Sequence, residues 1–174
     1  MRYCRSCGGP LQERLLATED RPRLVCERCG FILYQNPKIV VGAIPLSDGR
    51  AVLVRRGLEP SRGKWTFPGG FLEIGETPEE GAARETREET GLGIEITDLL
   101  GVYSRREIDI VVIVYLARIV DGAPTLTRET LEIGSFAPWE IPWDDLAFPT
   151  TLWALTDWAR RCGYRPPEGV RTGP

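Results

Sequence analysis

Histidine is absent from the 174-residue chain. That absence removes the commonest general base and, with it, every Ser-His and Cys-His nucleophilic mechanism, so proton transfer falls to carboxylates. No run of about eighteen apolar residues is present to span a membrane. Low-complexity tracts and internal repeats are also missing, and nothing at the N-terminus resembles a secretory signal. A soluble, cytoplasmic protein with no membrane partner is expected. Cysteine is scarce, five in all, but four of the five fall into two spaced pairs.

Cys4-x2-Cys7 is followed, after eighteen residues, by Cys26-x2-Cys29. Knuckles with two intervening residues are a spacing for four thiolates on zinc; a disulfide framework is the other reading, and one suited to an oxidising compartment. Residues 1–34 are therefore expected to form a zinc ribbon whose Zn²⁺ is structural, since so short a segment has little apolar core of its own. Residues 1–38 carry seven basic and four acidic groups, leaving a formal −6 on the remainder. A basic ribbon can touch RNA, which stands as a secondary, unfavoured expectation. Cys162, the fifth cysteine, has no histidine to activate it and is assigned no function.

The acidic residues are as patterned as the cysteines. Thr77-Pro78-Glu79-Glu80 reads as a helix start, with Thr77 as N-cap, Pro78 in the first helical position and Glu80 completing a capping box. The helix should run from Pro78 to Thr90 and stop at Gly91. Glu85, Glu88 and Glu89 then crowd one face as i, i+3 and i+4, with Ala82, Ala83, Thr86 and Thr90 on another. Such a face is either a solvated acidic surface laced by pairs such as Arg84 with Glu88, or a site for a hard cation, Mg²⁺ or Mn²⁺, held by oxygens alone.

The longer pattern Gly70-x5-Glu76-x7-Arg84-Glu85-Thr86-x-Glu88-Glu89-x-Gly91-Leu92 is similar to the signature of the Nudix hydrolases at every fixed position, with Thr86 where that family usually has an aliphatic residue. The resemblance implies that Glu85, Glu88 and Glu89 ligate divalent metal with help from the Gly70 carbonyl. It also implies that Arg84 and Glu76 form an orienting salt bridge. With the cysteines, the chain resembles the zinc-ribbon branch of that family over about residues 3–160, in particular the plastid FAD and ADP-ribose pyrophosphatases and their bacterial relatives. NADH pyrophosphatases carry Ser-Gln-Pro-Trp-Pro-Phe-Pro downstream of the helix; here Gly101-Val102-Tyr103-Ser104-Arg105-Arg106-Glu107-Ile108 stands instead. The implied reaction is metal-assisted hydrolysis of the diphosphate in a nucleoside diphosphate linked to a second moiety of the FAD or ADP-ribose class; hydrolysis of NADH, NAD or NAD-capped RNA with the ribbon binding the strand, or a nucleotide sensor without catalysis, is the alternative reading. Glu129 resembles a further metal ligand, and it or Glu132 is a candidate base beside Glu88 and Glu89. Dimerisation is common in that family and is an expectation here.

Tyr34 and Trp65 are candidates for stacking on an adenine or flavin ring, Tyr34 because it matches an aromatic after the ribbon in NADH-cleaving relatives. Arg55, Arg56 and Arg105 can each clamp phosphate, and Arg55 and Arg105 are preferred. The remaining pattern predicts strands at Ile39–Leu46 and Ala51–Arg55 around a Ser47-Asp48-Gly49 turn, then at Ile94–Tyr103, Ile108–Val120 and Ile133–Ala137. A helix at Phe148–Arg161 carries an apolar stripe of Leu152, Leu155, Trp158 and Ala159. The expected fold is α/β: an α/β/α sandwich around a mixed sheet over residues 35–165, with the ribbon before it and a tail at 166–174 behind.

Overall fold

The computed structural model describes residues 2–167 and Gly169; the expected tail falls mostly outside them. Two compact units are present, Met1–Pro37 and Lys38–Pro174. In the first, β1 (Leu11–Arg14), β2 (Arg23–Cys26) and β3 (Ile32–Leu33) form a three-stranded antiparallel sheet in that order.

The second unit begins with a hairpin. β4 (Lys38–Ser47) and β5 (Arg50–Arg56) pair through Leu46↔Ala51 and Ser47↔Arg50, leaving a two-residue loop of Asp48 and Gly49 at φ 51° and 73°. Positive φ at both loop positions matches the right-handed twist of the strands. Two short strands follow, β6 (Trp65–Thr66) on β5 and β7 (Gly69–Phe71) on β4. Neither was foreseen: two or three residues are too few to show a period.

Helix α1 spans Pro78–Thr90 with Thr77 as N-cap, the reciprocal Glu80 capping box, and Gly91 in the left-handed region at φ 75°. Its ends are those the sequence predicts. β8 (Leu92–Arg105) and β9 (Ile110–Gly122) form a long antiparallel pair, β10 (Thr130–Phe136) closes on β5, and α2 (Pro149–Arg161) is the last element among the described residues. The seven-stranded sheet runs β10-β5-β4-β9-β8 with β6 and β7 appended, and the β4–β9 pair is parallel, which makes the sheet mixed.

Alternation along the two central strands decides where the helices go. Val40, Ile44 and Leu46 of β4 and Ile110, Val112, Val114 and Leu116 of β9 join a core with Ala154, Leu155 and Trp158 of α2. Their neighbours Val41, Ala43, Ile113, Tyr115 and Ala117 pack with Ala82 of α1. Successive residues of a strand face opposite ways, so the helices cover opposite faces and the sandwich is as expected. On α1 the buried residues are small, Gly81, Ala82, Thr86 and Thr90, with Glu89 the one exception. A Cβ on Gly81 would lie 2.9 Å from both the Leu72 and Val41 side chains. The Thr86 hydroxyl donates to the Ala82 carbonyl at 2.8 Å, so this departure from an aliphatic residue buries no unpaired donor. On α2 the expected stripe is buried at Leu155, Trp158 and Ala159 but not at its first residue. Leu152 is only half-buried, while Thr151, Ala154 and Thr156 are wholly inside.

Among the described residues no helix is long and apolar enough to cross a membrane. Trp158, 2% exposed, is the largest side chain wholly inside the α2 face. Trp158→Ala should lower the free energy of unfolding by about 3–5 kcal/mol. Urea unfolding with an unchanged slope checks this, and a loss below about 1 kcal/mol would mean that α2 does not anchor the core.

Candidate active site

A cleft of about 550 Å³ opens beside β7, and its lining includes Gly69, Gly70, Glu85, Glu89, Glu129 and Arg56. Gly70 is what lets α1 deliver a carboxylate here. A Cβ at Gly70 would sit 2.5 Å from the Glu85 Cδ and both its oxygens, so the carboxylate occupies the space that any other residue would fill. Next to it, the Gly69 N–H donates to Glu89 Oε2 at 2.9 Å. Glu89 is 8% exposed and belongs to the buried face of α1, whereas the Glu88 side chain is 60% exposed. The three glutamates thus share one helix but not one environment.

Arg84 organises them. Its Nε and Nη2 donate to Glu76 Oε1 and Oε2 at 2.6 and 3.1 Å, and its Nη1 to Glu85 Oε1 at 2.8 Å and Glu88 Oε2 at 3.2 Å. Nη2 also reaches the Phe71 carbonyl at 3.2 Å. The expected pairing of Arg84 with Glu76 is present, and so is the i,i+4 pair with Glu88. The Arg84 guanidinium holds the Glu76 carboxyl below the usual carboxylate range.

The carboxylates of the cleft behave oppositely. Burial raises the Glu85 carboxyl despite Arg84 beside it, and the charges of Glu88 and Glu129 add to the rise. Burial pushes Glu89 up to about 7 against the Gly69 N–H, with Glu85 and Glu129 again adding to the rise. Like charges removed from water and set side by side resist ionisation. The donor set is all oxygen and short of positive charge, which is the chemistry of a hard divalent cation site.

Glu129 arrives from the turn before β10. Its carbonyl accepts from the Gly57 N–H at 2.7 Å, and Thr130 pairs with Arg56 across the β10–β5 ladder. Much of the remaining lining is apolar, with Val40, Phe67, Phe71, Ile108, Ile110 and Val112 beside Glu73 and the threonines Thr66, Thr150 and Thr151. Arg105 also lines it, with Nε on Glu107 at 3.1 Å.

The other candidates lie elsewhere. Arg55 is turned away, with Nε on the Gly63 carbonyl at 2.7 Å and Nη1 on Glu132 at 3.3 Å. Arg56 lines the cleft instead, with its guanidinium 4.9 Å from the Phe148 ring centroid and its Nε on the Pro60 carbonyl. On a strand, one residue of difference is the opposite face. Glu132 is exposed, lies within β10 rather than in a loop, and is absent from the lining. Trp65 is a core residue, 7% exposed and edge-on to Phe136 at 5.0 Å. Tyr34, in the N-terminal unit, donates its hydroxyl to Glu19 at 2.9 Å under the Arg23 guanidinium. Cys162 is exposed at the end of α2.

In the N-terminal unit the four cysteine sulfurs lie within 4.8 Å of one another, with Cys4–Cys29 at 3.8 Å and Cys7–Cys26 at 3.5 Å. These separations are far beyond a disulfide bond of about 2.05 Å. The knuckles are built alike: the Gly8 N–H donates to the Cys4 carbonyl, and that of Gly30 to the Cys26 carbonyl.

Comparison with known families covers both units. The NUDIX domain family matches residues 36–159, well over half of the chain. This chain belongs to the Nudix hydrolase family. The family described as Nudix N-terminal, a zinc ribbon, matches residues 2–35. The chain is similar to the crystal structure of a NUDIX hydrolase from Nitrosomonas europaea, with a TM-score of 0.87, 40% identity and 95% of each chain covered. An ADP-ribose pyrophosphatase from Methanocaldococcus jannaschii is 39% identical over 96 residues, 53% of this chain and 57% of that protein. The NAD-capped RNA hydrolase NudC of Haemophilus influenzae is 33% identical over 99 residues, 54% of this chain and 35% of that protein. The match thus spans little more than half of one curated relative and about a third of the other.

Arg84→Met should lower the stability of this Nudix domain by about 2–3 kcal/mol, because it strips charged hydrogen bonds from partly buried carboxylates. Arg87→Met, which loses only the exposed pair with Asp121, should cost less than about 0.5 kcal/mol. Denaturant titrations of the two variants check the contrast, and equal losses would refute it.

Proposed function

We propose that this protein hydrolyses the diphosphate of a nucleoside diphosphate linked to a second moiety, of the ADP-ribose or FAD class, with Mg²⁺ or Mn²⁺ as cofactor. The meeting of Glu85, Glu89 and Glu129 in one largely apolar cleft, with Gly70 making room for a carboxylate, carries this reading. Glu85, Glu88, Glu89 and Glu129, with the Gly70 carbonyl, would hold the cation. When bound, such a cation neutralises the diphosphate and lowers the pKa of a water molecule.

The side chains divide the rest of the work. Arg84 positions the Glu85 and Glu88 carboxylates through Oε1 and Oε2 respectively. The Gly69 N–H occupies Glu89 Oε2, leaving Oε1 as the carboxylate oxygen to take the proton of the attacking water. Glu132, held by Arg55 outside the cleft lining, is a weaker base candidate. Arg56 and Arg105 present guanidinium groups to phosphate oxygens, while the apolar walls exclude water. Attack at phosphorus breaks the anhydride P–O bond, so ADP-ribose would give AMP and ribose 5-phosphate, and FAD would give AMP and FMN.

In the ribbon, Zn–S bonds of about 2.3 Å imply tetrahedral S···S edges of about 3.8 Å, and four sulfurs within 4.8 Å of one another, two pairs of them at 3.5 and 3.8 Å, suit a structural Zn²⁺ on Cys4, Cys7, Cys26 and Cys29. The 33% likeness to an NAD-capped RNA hydrolase supports capped RNA as a second substrate reading. The missing Ser-Gln-Pro-Trp-Pro-Phe-Pro stretch places it second. A homodimer stays an expectation from the family resemblance.

Purified protein with Mg²⁺ or Mn²⁺ should release AMP from ADP-ribose or FAD faster than from NADH or NAD-capped RNA. Cleavage confined to capped RNA, weakening steeply with salt, would replace this reading with the second. Glu88→Gln and Glu89→Gln should each cut turnover by at least about a hundredfold with unchanged circular dichroism, and near-normal turnover in both would refute the site. Elemental analysis should find one zinc per chain in the wild type and none in Cys26→Ser. A zinc-free wild type with intact ribbon structure would exclude the ion.

A further inference from the structure

Three threonines, Thr66, Thr150 and Thr151, interrupt the apolar lining of the cleft, and two of them are hydrogen-bonded to each other. Thr66 on β6 and Thr151 in α2 are 6% and 1% exposed, and their Oγ1 atoms lie 2.9 Å apart. Each hydroxyl carries one proton and two lone pairs. One proton closes the mutual bond. The other has no acceptor among the described residues, and three lone pairs are unclaimed. A packing contact between a strand and a helix is served as well by two valines, which bury no polar atom. A hydroxyl pair set into a cleft wall is instead a neutral point that can both donate and accept.

Its position limits what it meets. Thr66 precedes by three residues Gly69, whose N–H holds Glu89, and three residues of chain span at most about 11 Å. The Thr66 and Gly69 backbones are therefore no farther apart than about the length of one nucleotide, and both residues line the one cleft. Val40, Phe67 and Val112 of the lining offer apolar surface for the faces of a ring, and the charged groups suited to phosphate, Arg56 and Arg105, are other residues.

Resting on the diphosphate-hydrolase reading above, we infer that the Thr66–Thr151 pair is a specificity determinant that reads the hydrogen-bonding edge of the substrate's base. The edge that fits presents a donor beside an acceptor, as the amino group and adjacent ring nitrogen of adenine do. The pair gives its spare proton to the ring nitrogen and accepts from the amino group through a lone pair. Neither hydroxyl changes protonation state, and neither touches the reacting phosphorus.

The test reads binding separately from turnover. Calorimetric titration in Mg²⁺ compares AMP, purine riboside 5′-monophosphate, which lacks the amino group, and ribose 5-phosphate. Wild-type protein should bind AMP at least about tenfold tighter than either analogue. Thr66→Val and Thr151→Val should bring AMP to within about twofold of purine riboside monophosphate, and Thr151→Ser should restore the difference. AMP binding by both valine variants equal to wild type would overturn the inference, as would a wild type that does not distinguish the three ligands or binds none of them. Should a valine variant fold poorly, the wild-type discrimination and the serine variant still decide. ADP-ribose hydrolysis without base discrimination would sink this inference alone. Base discrimination without hydrolysis of any diphosphate would sink the proposed activity and leave the hydroxyl pair in place.

Discussion

Arg84 sets one positive charge among Glu76, Glu85, Glu88 and the Phe71 carbonyl, and the geometry of the cleft follows from that. Its partners come from three segments: the helix, the loop before it, and strand β7. Locking them together fixes the direction from which Glu85 enters the space left by Gly70. The guanidinium is suited to this because its five donors lie in one rigid plane and its charge is permanent, where a lysine would supply a single mobile point.

What Arg84 does not neutralise is as informative as what it does. Glu89 lies beyond its hydrogen bonds and has, among the described residues, only the Gly69 N–H, and Glu129 arrives from another part of the chain. Burying these groups near Glu85 works against the stability of the isolated chain, since each ionised carboxylate raises the cost of the next. The opposing charge is tied to the same ladder, because Arg56 pairs with Thr130, the residue after Glu129. Attraction and repulsion in the cleft are thus held by sheet hydrogen bonds rather than by free loops, which suits a site that must present fixed charges to a polyanion.

Local rules made much of this legible in the sequence. Thr77, Pro78, Glu80 and Gly91 bracket α1 to the residue because caps are chemistry between near neighbours. The Asp48-Gly49 turn and the apolar alternation of β4 and β9 are equally local, and the cysteine spacing brings four sulfurs together. Legibility failed where tertiary context decides. Arg55 and Arg56 are indistinguishable in the chain, and only the strand's facing separates them. Trp65 looks like any exposed stacking ring until Phe136 is seen against it. Glu89 reads as one of three equivalent acids, but the helix is turned so that it is buried with the threonines. Thr66 and Thr151, eighty-five residues apart, leave no trace in the sequence of their contact.

The small residues along the inner face of α1 have a consequence for tolerance. Gly81 meets the Leu72 and Val41 side chains, and alanine, threonine and the buried Glu89 make up the rest of that face. At Gly81 the approach of the helix is set by its backbone, with no side chain of its own that could repack. A bulkier residue at Gly81 would lift the whole helix, carrying Glu85 and Glu89 away from Gly70 and Gly69 together. Depth in this fold is therefore a single mechanical variable that positions two carboxylates at once.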